Sequence, residues 1–127
     1  MAYKILLDTN ILIDSFRFKV RLADELNRIS DFPFELYTIK GVIEELERLI
    51  NDGGSKEKRS AKLALDFIRL NAKILDMRGK VDDIIVKLGK KGYVPCTSDK
   101  ELKKRLKDSK FIILKQRKYL SFENVLP

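Results

Sequence analysis

Short apolar runs alternate with amphipathic stretches along this chain. The runs lie near residues 3–7, 35–38, 74–76, 93–97 and 111–114, where their length and composition predict buried β-strands. Apolar residues recur at helical spacing between them, so the pattern predicts an α/β fold with a parallel sheet. We expect one domain over residues 1–127, with Ser55 as the cap of a helix from Lys56 to about Leu70. The final segment, Ser121 to Pro127, is expected to be an edge element or a tail.

Two carboxylates follow the ends of predicted strands. Asp8 ends the first apolar run, and Asp99 comes just after the fourth. Ligands of open α/β sheets bind at the carboxyl edge of the strands, so both acids are well placed for a site. Both also have ordinary structural explanations. Asp8 can cap the next helix, and Ser98 with Glu101 can form a capping box that makes Asp99 a first-turn acid.

A third candidate acid opens a later helix. At about 100° per residue, Asp82 falls on the apolar side of that helix, between Ile85 and Val86. Asp83 points away, beside Lys87. Asp82 is therefore the predicted site residue, although a first-turn acid also complements the helix dipole.

A fourth acid comes from the helix before the glycine-rich break. Glu44 lies opposite the apolar stripe and can pair with Arg48, whereas Glu45 flanks Leu49. We therefore favour Glu45, with Glu47 an equally good rim position and Glu44 as a further alternative.

These acids limit the chemistry that a site can perform. The chain contains no histidine, which excludes imidazole ligation of zinc and Ser-His-Asp catalysis. Carboxylate oxygens suit Mg²⁺ or Mn²⁺. Clustered carboxylates repel one another, so we expect raised pKa values until a cation binds.

Taken in order, these elements resemble the PIN-domain nucleases. The matching segments are Asp8-Thr9-Asn10, Glu45-Leu46, Asp82-Asp83-Ile84-Ile85 and Thr97-Ser98-Asp99. Each motif alone is weak, but together they stand in the family's order and cover the chain from about Lys4 to Lys115. The resemblance implies a three-layer sandwich in which helices flank a mostly parallel sheet. It is greatest to small archaeal members, including toxin ribonucleases of the VapC type and proteins of ribosomal RNA processing.

The resemblance also implies a function and a set of roles. The expected activity is metal-dependent endoribonuclease cleavage of single-stranded or looped RNA, leaving 5′-phosphate and 3′-hydroxyl ends. The expected catalytic residues and Mg²⁺ or Mn²⁺ ligands are Asp8, Glu45, Asp82 and Asp99. The expected supporting residues are Thr9, Asn10, Thr97 and Ser98. An antitoxin or a ribosome-assembly partner would follow from the two kinds of relative. A homodimer is expected from the family and because the helix from Ser60 to Leu70 is apolar over much of its circumference, although burial of this helix inside the molecule explains the pattern equally well.

Composition agrees with a polyanionic partner. The net charge is +8 and the pI is about 9.6. Two basic sets are predicted to bind RNA, and they comprise Lys56, Lys58, Arg59, Lys100, Lys103 and Lys104. A solvated lysine-rich face without a ligand is the ordinary alternative.

Two other classes of function remain open from the sequence. A phospho-acceptor receiver domain also has acids at strand ends, with Lys115 as its candidate late lysine, but Asp8 lacks an adjacent acid. A non-catalytic basic RNA-binding module fits the same composition. The only cysteine, Cys96, is expected to be an inert core thiol in a reducing cytoplasm, and no apolar run is long enough for a membrane span.

Overall fold

The structure is a computed structural model that describes residues 2–124. The strands are β1 (Tyr3–Leu7), β2 (Phe34–Ile39), β3 (Ala72–Leu75), β4 (Val94–Thr97), β5 (Phe111–Lys115) and β6 (Tyr119–Glu123). The helices are α1 (Thr9–Arg17), α2 (Leu22–Ile29), α3 (Lys40–Asp52), α4 (Ser55–Asn71), α5 (Val81–Lys90) and α6 (Lys100–Arg105).

The strands form one sheet in the order β3-β2-β1-β4-β5-β6. All neighbouring pairs are parallel except β5 and β6, which are antiparallel. The predicted α/β fold, a mostly parallel sheet flanked by helices, is therefore confirmed. Because β1 lies between β2 and β4, the chain connections leave β1 and β4 in opposite directions, which opens a crevice at their carboxyl ends.

The core explains why these segments become strands and helices. Ile5, Leu6 and Leu7 of β1 are fully buried, as expected for an inner parallel strand covered on both faces. The first turn of α1 places Ile11 and Leu12 in the same core. Cys96 of β4 is also fully buried, and burial raises the pKa of its thiol, which agrees with the expected inert thiol.

Three local predictions need correction or refinement. Gly54, rather than Ser55, precedes α4 and supplies no side-chain cap, because the helix already includes Ser55. The third strand starts at Ala72, earlier than predicted, because the chain passes from α4 directly into extended backbone there. The predicted carboxyl-terminal edge element is β6, while residues 125–127 of that prediction lie outside the described part.

Most of the apolar circumference of α4 is used inside the molecule. Ala61, Ala64 and Ile68 are fully buried, and α4 packs on α1 and α3. Leu70 remains 83% exposed, so a small apolar surface is left. The homodimer stays a prediction. Within residues 2–124, the helices are all too short or too polar to cross a membrane.

Candidate acidic cleft at the carboxyl edge of the sheet

An open cleft of about 850 Å³ lies where β1 and β4 end. It is lined by Asp8, Asn10, Gly41, Glu44, Glu45, Arg48, Gly79, Lys80, Val81, Asp82, Asp83, Asp99 and Arg105. The structure thus brings together all of the predicted acids, from the β1–α1 junction, α3, α5 and the β4–α6 junction. Glu47 does not line this cleft, which favours Glu45 over that alternative.

Asp8 is the most enclosed of these carboxylates. Its side chain caps α1, with Oδ1 accepting a 2.7 Å hydrogen bond from the backbone N–H of Thr9. Oδ2 accepts a 2.7 Å hydrogen bond from the Thr97 hydroxyl. Burial raises the pKa of Asp8 to about 6, although these hydrogen bonds favour the ionised form. The residue is both a helix cap and an ionisable group held at the end of a buried strand.

Asp99 begins α6 and faces the same cleft. Its Oδ1 accepts hydrogen bonds from the backbone N–H groups of Glu101 at 2.9 Å and Leu102 at 3.4 Å. The amide of Asn10 donates to Oδ2 at 3.3 Å. Asp99 is therefore the helix cap itself, so the capping box with Ser98 as the cap is wrong: the side chain of Asp99, one residue later, reaches the free N–H groups.

The predicted supporting residues hold different parts of the site. The Thr97 hydroxyl binds Asp8, and the Asn10 amide binds Asp99. Ser98 instead donates a 2.7 Å hydrogen bond to Asp14 of α1, a partner that the sequence did not indicate. Ser98 therefore ties the β4–α6 junction to α1 and does not contact the four predicted acids through a hydrogen bond.

Glu45 is half-buried on the cleft side of α3. Burial raises its pKa, the Thr9 hydroxyl and Arg48 favour the ionised form, and the charge of Asp82 opposes it. The Thr9 hydroxyl lies beside Glu45 without completing a hydrogen bond. Glu44 and Arg48 both line the cleft, but the predicted ion pair between them does not form among the described residues.

Asp82 and Asp83 both reach the cleft from the first turn of α5. Burial raises the pKa of Asp82, the negative charge of Asp99 adds to the effect, and Arg105 lowers it. Asp83 points away from the apolar side of α5, as predicted, with its side chain 58% exposed, but it nevertheless lines the cleft and pairs with Arg105 at 2.8 Å. The reason is that α6 packs against α5 and brings Arg105 to that side, a tertiary contact that helical spacing does not contain.

The carboxylates at this edge of the sheet disfavour one another's ionised forms, as the sequence predicts. Asp8, Glu45 and Asp82 all have raised pKa values, with burial as the main cause and mutual repulsion as an added one. As the side chains of residues 2–124 are placed, no three of them stand closely enough to hold a metal ion. Their role as metal ligands stays a prediction.

The cations nearest the acids differ from those that the sequence emphasised. Arg48, Lys80 and Arg105 line the cleft, whereas none of the six predicted RNA-binding residues does. Arg48 is one helical turn from Glu45 on α3, so helical spacing could have identified it. Arg105 could not be identified in this way, because its position depends on how α6 packs.

Comparison with known proteins gives the same family as the motifs. Residues 5–118 match the PIN-like domain family. The chain is 36% identical over 124 residues to Ribonuclease VapC4 of Methanocaldococcus jannaschii, covering 92% of this chain and 94% of that protein.

Solved structures share the fold. The PIN domain endonuclease Utp24 superposes with a TM-score of 0.79 at 22% identity, over 98% of this chain and 93% of that chain. A domain of a functionally unknown protein from Methanocaldococcus jannaschii superposes with a TM-score of 0.61 at 20% identity, over 99% and 98% of the two chains. The matched range contains the four acids and every strand except the first two residues of β1 and all of β6, and the chain belongs to the PIN-like domain family.

Proposed function

We propose that this chain is a metal-dependent endoribonuclease that hydrolyses RNA phosphodiester bonds in the acidic cleft. The observation that carries the proposal is the meeting of Asp8, Glu45, Asp82 and Asp99 in one cleft, although they come from separate elements. Their position at the junction of β1 and β4 is where ligands of this sheet type bind. The 36% identity to a ribonuclease over 92% of the chain supports RNA as the substrate.

The donor set suits a hard divalent ion such as Mg²⁺ or Mn²⁺. The cleft offers carboxylate oxygens without histidine, and three of these carboxylates have raised pKa values that a cation would lower. The residues that would hold the ion are Asp8, Glu45, Asp82 and Asp99. When bound, such an ion supplies an activated water and neutralises charge on the phosphoryl and leaving oxygens.

The surrounding side chains position these acids. Thr97 donates to Asp8 and accepts the N–H of Asp99, so one hydroxyl sets the spacing of two acids. Asn10 orients the free oxygen of Asp99. Arg48 and Lys80 at the rim attract the RNA backbone, which the acids alone would repel.

A toxin-type role follows from the same relative. Ribonuclease VapC4 matches nearly the full length of this chain, so we infer a VapC-like ribonuclease acting with an antitoxin partner. The receiver alternative fits poorly, because Lys115 lies 3.9 Å from Glu123 and is not among the residues that line the cleft.

The test is cleavage of labelled single-stranded and hairpin RNAs by the purified protein with Mn²⁺ or Mg²⁺. We expect products with 5′-phosphate and 3′-hydroxyl ends, and a loss of roughly a hundredfold or more in Asp8→Asn and Asp82→Asn. Asp66→Asn on the exposed face of α4 is the matched control and should retain activity.

The outcomes separate an enzyme from a binding module. If the wild-type protein binds RNA but cleaves none with either metal, and Asp82→Asn binds as well or better, the chain is a basic RNA-binding module. If Asp66→Asn loses as much activity as Asp8→Asn, the cleft is not the site of cleavage.

A further inference from the structure

A groove leaves the acidic cleft and runs between α1, α3 and the start of α4. The depression next to the cleft, about 360 Å³, shares Asn10, Glu45 and Arg48 with it. A further depression of about 310 Å³ shares Arg17 and Glu57 with that one and continues to Lys56. Shared walls make the three depressions one path across the surface.

Three cations follow one another along this path. Arg48 lies at the cleft end, Arg17 where the two depressions meet, and Lys56 at the far end. None of the three forms an ion pair with another residue of the described chain. The Arg17 guanidinium also lies over the ring of Phe18, 5.7 Å from its centroid. These charges are therefore free to bind an anion.

The acids along the path are partly engaged by the protein. Asp14 accepts a 2.7 Å hydrogen bond from Ser98. Glu57 lies in the first turn of α4, where a negative charge offsets the positive end of the helix dipole. Glu45, the third acid, lines both the groove and the cleft. The groove is thus less repulsive to phosphate than its three acids suggest.

A buried hydroxyl stands where the groove meets the cleft. Thr9 is 5% exposed and lines the first depression, and its Oγ1 has no hydrogen-bond partner among the described residues. A buried hydroxyl without a partner is unfavourable unless a ligand or water completes it. This position favours a polar occupant at the entrance to the groove.

The other predicted basic set has no such connection. Lys100, Lys103, Lys104 and Lys107 line a depression that shares no residue with the cleft. Lys104 is also engaged, 3.4 Å from Glu101. Of the two predicted basic sets, therefore, only the one that contains Lys56 is connected to the acidic cleft.

We propose that single-stranded RNA leaves the cleft along this groove, its phosphates passing Arg48, Arg17 and Lys56 in turn, while the α6 lysines lie off the path. The inference rests on the proposed function, because it takes the strand in the cleft to be RNA. It also predicts a length requirement, since an oligonucleotide that fills only the cleft does not reach Lys56.

The experiment measures binding and needs no cleavage. Fluorescence anisotropy follows labelled oligouridylates of increasing length, with three variants built on an Asp8→Asn background. The groove variant carries R17Q, R48Q and K56Q. The α6 variant carries K103Q, K104Q and K107Q, and a remote variant carries K87Q, K90Q and K91Q around the far end of α5 from Asp82. Each variant removes three positive charges, and thermal melting checks that each variant is folded.

We expect only the groove variant to lose affinity for long oligouridylates, roughly tenfold or more at low salt. The slope of log Kd against log salt concentration should fall by about 0.7 for each phosphate that the variant no longer binds. Oligouridylates too short to leave the cleft should bind the groove variant and its Asp8→Asn parent with the same affinity, apart from any contribution of Arg48.

The proposed path is overturned if the groove and remote variants lose affinity for long oligouridylates equally. It is also overturned if the α6 variant loses more affinity than the groove variant. Absence of RNA binding by the Asp8→Asn parent also overturns it. A groove-dependent affinity in a protein whose wild-type form cleaves no RNA would keep the path and remove the proposed nuclease function, so the two failures are distinguishable.

Discussion

Thr97 donates its hydroxyl hydrogen to Asp8 Oδ2 at 2.7 Å, linking the end of β4 to the end of β1. The same hydroxyl oxygen accepts the backbone N–H of Asp99 at 3.0 Å. Both strands are buried, and Thr97 is fully buried. This one hydroxyl therefore couples two acids that lie far apart in the sequence.

Replacing that hydroxyl tests the coupling. Thr97→Val should lower the free energy of unfolding by about 1–3 kcal/mol, because Asp8 and the Asp99 N–H each lose a buried partner. Urea denaturation measures the change. Thr97→Ser keeps the hydroxyl and removes only the methyl group, so it should lose less. A loss in Thr97→Ser as large as that in Thr97→Val would show that the hydroxyl contributes no more to stability than the methyl group does.

The stability of the metal-free protein should depend on Asp8. Its folded pKa of about 6 exceeds the ordinary aspartate pKa of 3.8, so between these values the folded state binds a proton that the unfolded state has released. Stability from this group is therefore lost as pH rises through the window, by about 3 kcal/mol in total. Asp8→Asn should be more stable than the wild type at neutral pH, and the difference should vanish near pH 4.

Chemical denaturation across this pH range, in buffer with a chelator, measures that difference. Glu25 and Glu35 have lowered pKa values and act in the opposite direction, but they are present in both proteins. Asp66→Asn should follow the wild-type curve. A constant difference between wild type and Asp8→Asn at every pH would contradict the raised pKa.

Metal binding should stabilise the wild-type protein. At about a hundred times the Kd, Mn²⁺ should add about 2.7 kcal/mol to the free energy of unfolding, and chelation should remove it. Asp82→Asn should show a smaller gain because one oxygen donor is lost, while Asp66→Asn should match the wild type. Thermal melting with and without Mn²⁺ measures the stabilisation of each protein. Equal shifts in all three proteins would place the ion elsewhere.

A close contact between α3 and α5 also shapes the cleft. A methyl group at Gly41 would stand 2.7 Å from Cγ2 of Val81, next to Asp82. Gly41→Ala should therefore displace the start of α5 and reduce metal-induced stabilisation, although alanine is the better helix former by about 1 kcal/mol. Adding Val81→Ala removes the clash and should restore the metal response. A double variant no better than Gly41→Ala would show that the contact is unimportant.

The parts of the site that follow local sequence were predictable. Asp8 and Asp99 come after buried strands of an α/β sheet, and the position of such strands follows from their apolar runs. The helix surface narrowed the choice of Asp82 and Glu45 only in part, because the rejected neighbours Asp83 and Glu44 also line the cleft. One element of secondary structure is enough to place Asp8 and Asp99, but not to choose between neighbouring acids on a helix.

The parts that depend on packing between elements were not predictable. Asp83 lines the cleft and pairs with Arg105 of α6, and helical spacing contains no information about α6. Ser98 turns to Asp14 of α1 for the same kind of reason. The lysine-rich α6 surface is a weaker candidate than its charge suggests, because charge density along the chain does not say which depression the side chains line.

The cap that Asp99 forms on α6 also limits what the cleft can select. Its Oδ1 already accepts two backbone N–H groups, whereas Oδ2 accepts only the Asn10 amide and is the oxygen with more capacity to bind a metal ion. A single oxygen cannot chelate, and large ions such as Ca²⁺ gain most from chelating carboxylates. Smaller ions that keep part of their water shell lose little at such a position, so we expect the proposed metal site to bind Mg²⁺ or Mn²⁺ in preference to calcium.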